Sequence, residues 1–144
     1  FAAWVGQHPK SGTVAGHLCH TGSFLVREVQ VNGVSVGEFG QVALCATELG
    51  IRTIFASGCE AFGAEAQALL AGIETAAVKR GTQTEPGHHL PAAAYAVHNL
   101  AAVHLSPEAA RERIRSGASR AMVSGSVAWS CRSRPLRDGS SASV

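Results

Sequence analysis

Residues 37–78, GEFGQVALCATELGIRTIFASGCEAFGAEAQALLAGIETAAV, decide the fold of this chain. In the first part Phe39, Val42, Ala43, Ala46 and Leu49 recur with a helical period, and Gly50 stands where a helix would end. Ile51–Ala56 is β-branched and apolar, which predicts a buried strand running out at Ser57-Gly58-Cys59-Glu60. Glu60–Leu70 is rich in Ala and Leu and reads as a second helix, and Ile73–Val78 as a further strand. Phe1–Gly6, upstream, is an apolar run closed by a glycine and is expected to be a strand buried on both faces. Strand, helix, strand, helix, strand predicts an α/β domain with right-handed crossovers.

Working back from Gly37, residues 16–40 read GHLCHTGSFLVREVQVNGVSVGEFG. Asn32-Gly33 lies between two Val-rich runs and both residues tolerate positive φ, so a type I′ β-hairpin is expected there. Residues 7–23 are rich in Gly, Ser, Thr and His and read as a long loop, a kind of segment that often carries function. His8 follows the first strand, and the carboxyl ends of strands are where α/β sheets bind ligands. Glu38 falls in the first helical turn, where the helix dipole favours a carboxylate by about 0.3–1 kcal/mol; this suits a metal ligand and equally an ordinary N-terminal Glu. His8, His17, His20 and Glu38 together supply the ligand types of hydrolytic zinc sites. No HExxH spacing accompanies them, so a metal site and a set of scattered polar loop residues both remain open at this point.

Downstream, residues 80–89 form a loop with Gly81, Pro86 and Gly87; its adjacent pair His88-His89 points two ways and makes a weak metal site. Leu90–Leu105 is open between helix and irregular packing. Ser106 as N-cap, Pro107 at the first helical position and Glu108 in the first turn predict a helix start. Ala110, Ile114, Ala118 and Ala121 would form its buried stripe, with Arg111, Arg113, Arg115 and Arg120 mostly facing water. Beyond Ser124 the chain is Ser/Arg-rich without a sustained period and is expected to be frayed or disordered, with Trp129 as an anchor.

A chain of 144 residues, 46% hydrophobic, can bury one core. The formal charge is +2, and seven of the twelve Lys and Arg lie beyond residue 105. An Arg-rich end with Ser and Gly reads as solvated, so no nucleic-acid partner is expected. The four cysteines, Cys19, Cys45, Cys59 and Cys131, form no CxxC pair; free thiols in a reducing compartment, and hence the cytoplasm, are expected. The most apolar window, residues 90–105, is broken by His98, Asn99 and His104 and is too short for a membrane span. The only Asp is Asp138, so a Ser-His-Asp triad has no obvious third member, although Glu could substitute. Cys19 beside His20 is a poor thiol-protease pair, because neighbours in sequence rarely orient as nucleophile and base. Neither GxGxxG nor GxxxxGK[ST] occurs.

Several motifs occur in one order: Val5-Gly6-Gln7-His8, Gly16-His17-Leu18-Cys19-His20-Thr21, Val31-Asn32-Gly33, Val36-Gly37-Glu38-Phe39-Gly40, Thr75-Ala76-Ala77-Val78-Lys79 and Leu105-Ser106-Pro107-Glu108-Ala109-Ala110. This series resembles the M55 family of peptidases, the D-aminopeptidases of the dipeptide-transport type, over roughly residues 1–122. The fold expected is α/β, a partial three-layer domain with a mixed sheet, flanking helices and a β-hairpin, followed by a disordered tail over residues 123–144. The resemblance implies that His8 and Glu38 bind metal and that His20 is catalytic, while His17 and Cys19 match no functional residue of the family. It also implies zinc, two ions in the full-length protein, hydrolysis of short peptides with an N-terminal D-amino acid, and a ring-like homo-oligomer. The family's Asp-x-Glu-Gly motif and a further histidine ligand are not in the chain and are expected upstream of Phe1, which would make this a fragment inactive alone. Gly58-Cys59-Glu60 stands where the family has a Gly-Asp-Asp-like segment, and residues 82–103 look like an insertion. The alternative is a non-catalytic truncated α/β domain that self-associates and keeps a vestigial metal site.

Overall fold

Ten elements follow one another in the computed structural model, which describes residues 1–130, with side chains through residue 124. Strand β1 (Ala2–Gln7) is followed by the hairpin β2 (Gln30–Val31) and β3 (Val34–Ser35), then α1 (Glu38–Glu48), β4 (Thr53–Cys59), α2 (Glu60–Leu69) and β5 (Glu74–Gly81). The stretch left open by the sequence divides into α3 (Ala92–His98) and β6 (Ala102–His104), and α4 (Pro107–Ser130) closes the series. The sheet runs in the order β1-β4-β5-β6, parallel through β5 and antiparallel at β6, which is the mixed sheet expected.

β4 is buried at all seven positions because it lies inside the sheet with helices over both faces. Successive strand residues point to opposite faces. Thr75 of β5 lies under Gly63 of α2, where a Cβ would come within 3.6 Å, and Ala76 lies under Gly117 of α4 at 3.5 Å. Two apolar clusters result. Phe39, Ala43, Ala56, Phe62, Ala66 and Ile73 pack beneath α1 and α2, and Ile54, Phe55 and Ala76 pack against Ile114, Ala118 and Ala121 of α4. Phe39 and Phe62 meet edge to face at 5.0 Å, a geometry worth about 0.5–1.5 kcal/mol beyond area burial.

Two expectations are corrected. β1 is not buried on both faces: Val5 is 60% exposed, because among the described residues β1 is an edge strand with β4 alone beside it. The buried stripe of α1 consists of Phe39, Gly40, Ala43 and Ala46, and Val42 and Leu49 stand 40% and 70% exposed on its outer side. Gly50 does end that helix, with φ +71, and the Ile51 and Gly50 amides donate to the Ala46 and Thr47 carbonyls as in a Schellman cap. Helix α4 continues past Met122 to Ser130, into the segment expected to be disordered; residues 131–144 and the side chain of Trp129 lie outside the described residues. Arg113 and Arg120 reach back to Ala77 and Glu74 of β5. Among the described residues no helix is long and apolar enough to cross a membrane.

Candidate metal site

β1 ends at Gln7 and delivers His8 just beyond the carboxyl edge of the sheet. β1 and β4 approach closely at this point: a Cβ on Gly58 would fall 2.1 Å from the Gln7 carbonyl oxygen, so the position admits only glycine. The Asn32-Gly33 turn, with φ +51 and +79, folds the chain back so that α1 starts beside the loop, with Gly37 as N-cap and Glu38 in its first turn.

The loop and the start of α1 bring His8, His20 and Glu38 together, with one potential ligand atom from each within 4.8 Å of the others. The His8 and His20 rings stack at 4.1 Å. His20 Nδ1 lies 2.8 Å from the Leu18 carbonyl and His8 Nδ1 3.1 Å from the Pro9 carbonyl. Only a ring N–H can donate to a carbonyl, so each contact places the proton on Nδ1 and leaves Nε2 with a free lone pair. Burial, aided by the neighbouring His20, lowers the pKa of His8 and favours the neutral ring that a metal needs. Glu38 Oε1 accepts the Gly22 amide at 2.5 Å and lies 3.5 Å from His20 Nε2. Its other oxygen, Oε2, is buried with no hydrogen-bond partner among the described residues. A buried carboxylate oxygen left without a donor is a costly arrangement that a bound cation would relieve. Two imidazole lone pairs and a carboxylate are a fitting donor set for Zn²⁺.

Sequence reasoning missed the groups that hold this arrangement. Glu65, on the packed side of α2, accepts the Lys10 amide at 2.9 Å, and a Cβ on Gly37 would come within 3.2 Å of its Oε1. One carboxylate thus bonds the loop after His8 and lies against the start of α1. Burial raises its pKa, against the pull of the Lys10 amide. The available signal was an acid three residues after Phe62, on the apolar face of its helix. Tyr95, fully buried, receives the Gly12 amide at 2.7 Å and meets Ser11 Oγ at 3.2 Å. The Asn99 carbonyl accepts the Leu18 amide at 2.9 Å, and Gln83 bonds both the Gly16 carbonyl and Asn99 Oδ1. Residues 82–103 therefore act as a bracket for the histidine loop. Ala15 and Leu18 take the left-handed region, with φ +55 and +59, a conformation costly for L side chains and found where the surroundings over-determine it.

The other sequence candidates do not join the group. His17 turns to His104, edge on at 5.2 Å, and burial followed by the charge of Lys79 lowers its pKa. Cys19 is buried, donates to the Thr13 carbonyl at 3.1 Å and has its thiol pushed up to about 12 by burial, so it is no nucleophile. His88 packs on Tyr95, with ring centroids 6.2 Å apart.

Residues 1–134 match the M55 peptidase family, described as D-aminopeptidase. No curated protein gives a significant match. Among solved structures, the fold is similar to that of the Zn-dependent D-aminopeptidase DppA from Bacillus subtilis, a self-compartmentalizing protease, with a TM-score of 0.71 and 23% identity. The match covers 88% of this chain and 41% of that one, so the chain spans about two fifths of the length of the protein it resembles.

Proposed function

Since this chain belongs to the M55 peptidase family, we propose that it forms part of a zinc-dependent aminopeptidase acting on short peptides that begin with a D-amino acid. The observation that carries this reading is the convergence of His8, His20 and Glu38 within 4.8 Å, with a buried Glu38 oxygen that has no hydrogen-bond partner among the described residues. His8 and Glu38 would hold the metal. A bound zinc ion supplies Lewis-acid polarisation of a carbonyl and lowers the pKa of its water toward about 7. The imidazole of His20 is fixed through Nδ1 by the Leu18 carbonyl, with Nε2 turned toward Glu38. In that orientation it can take a proton from the attacking group and return it to the leaving amine. The self-compartmentalizing assembly of DppA supports a homo-oligomer for the whole protein.

The same geometry also supports a second role for His20, as a third ligand, because its donor atom belongs to the same group. Metal analysis and D-Ala-D-Ala hydrolysis by the whole protein carrying His20→Ala separate the two roles. As the catalytic residue, His20 can be removed with zinc content intact while hydrolysis falls by about 100-fold or more; as a ligand, its loss lowers zinc content as well. Glu38→Ala is expected to lose zinc and activity together. If both variants kept wild-type zinc content and hydrolysis, the site would lie elsewhere.

A further inference from the structure

Where β5 and β6 meet the start of α2 lies a cavity of about 170 Å³. Lys79, Arg80, His104, Arg113 and Glu60 are among its lining residues, so it sets three permanent cations against one carboxylate. Arg113 is engaged with the Ala77 carbonyl. Lys79 is half-buried, and among the described residues its ammonium makes no hydrogen bond or ion pair. Its place is fixed by pairing: Lys79 lies opposite Cys59 on one side and His104 on the other. Cys59 Sγ accepts the His17 amide at 3.3 Å, and the His17 ring stands edge on to His104. His17 Nδ1 is buried with no hydrogen-bond partner among the described residues. The end of β5 thus gathers the Lys79 ammonium and two imidazoles at the carboxyl edge of the sheet, and the pairing of Gln7 with Gly58 and of Cys59 with Lys79 sets His8 and Lys79 at that same edge, two strand spacings or about 10 Å apart.

We infer that Lys79, flanked by His17 and His104, is the subsite for the free C-terminal carboxylate of a short peptide whose scissile bond lies at His8, His20 and Glu38. The identity of this ligand rests on the peptidase reading. A half-buried cation without a partner is stabilised by an anion, and a charge-assisted bond to a carboxylate is strong and directional. In a dipeptide the carboxylate lies one residue beyond the scissile carbonyl, so a cation beside the metal group selects dipeptides and disfavours chains that continue past that point. Glu60 at the cavity rim adds selection against a second acidic group on the substrate.

The test is a nuclear magnetic resonance titration of the whole protein in its metal-free form, in which no turnover occurs, with D-Ala-D-Ala and with its C-terminal amide. D-Ala-D-Ala is expected to shift the Lys79 and His104 amide signals and to bind about ten-fold more tightly than the amide. Lys79→Met should abolish that preference, and Lys79→Arg should keep most of it. Equal affinity for the two ligands, absence of any shift with D-Ala-D-Ala, or a preference that survives in Lys79→Met each overturn the subsite. Zinc titration of the same sample, followed at the His8 and His20 rings, reports separately on the peptidase reading. A protein that takes up zinc and hydrolyses D-Ala-D-Ala without the preference loses only the subsite. One that keeps the preference but takes up no zinc loses the peptidase reading and retains a carboxylate site.

Discussion

The central sheet and the histidine loop are neighbours held by different forces. β4 is buried throughout and lies between two apolar clusters, so its position follows from excluding side chains from water. The loop over residues 8–37 buries few large apolar groups and is held by polar contacts from distant chain: Tyr95 on Ser11 and Gly12, Asn99 on Leu18, Gln83 on Gly16, Glu65 on Lys10. Burial is non-directional and sums over many atoms, whereas a single hydrogen bond adds about 0.5–1.5 kcal/mol net but fixes direction. The sheet therefore supplies stability, and the loop converts part of it into the placement of His8 and His20.

The largest expected effect comes from breaking the sheet side of this comparison. Phe62→Ala empties the space under α2 where Phe62 meets Phe39, and should cost about 3–5 kcal/mol in chemical denaturation. The whole chain should lose stability in one transition. A loss below about 1 kcal/mol would show that this cluster does not support the fold. On the loop side, Tyr95→Phe keeps the ring and removes only the hydroxyl that serves Gly12 and Ser11. The expected loss is about 1–3 kcal/mol, because a buried donor is left unsatisfied. Hydrogen exchange should quicken over residues 11–18, with β4 amides as protected as before and zinc affinity lowered. Equal loss of protection in β4 would mean that the two regions open as one unit.

This division also explains what could be read from the sequence. The apolar periods of residues 37–78 are local, and they predict α1, β4, α2 and β5 because burial of a helix or strand face imposes a period. Turn and cap chemistry is local too: Asn32-Gly33 forms the hairpin, and Ser106 Oγ caps α4 by accepting the Ala109 amide at 3.2 Å. The edge position of β1 was not legible, since it depends on strand order and not on the composition of residues 1–6. The bracket was not legible either. Tyr95 and Ser11 are separated by 84 positions, and a polar contact between two irregular segments leaves no period. His8, His20 and Glu38 could be proposed as a set through the order of family motifs, whereas residue types alone left His17 beside them as an equal candidate.

The smallest effect addresses strain, which sharpens the contrast most. Ala15 holds φ +55 because both of its backbone groups are engaged: its amide donates to the Gln83 carbonyl, and its carbonyl accepts the Gly81 amide. A left-handed conformation costs an L residue about 1–2 kcal/mol, and Ala15→Gly removes that cost. The same substitution frees the unfolded chain and returns about 0.5–1 kcal/mol of entropic loss on folding. The net expectation is a gain of up to about 1.5 kcal/mol, read as a higher urea midpoint at unchanged slope. A fall in the midpoint would mean that the Ala15 methyl packs against the bracket strongly enough to outweigh the strain. If the midpoint rises while zinc affinity drops, the strained backbone at Ala15 serves to hold the histidines in register, and the loop gives up stability for that placement.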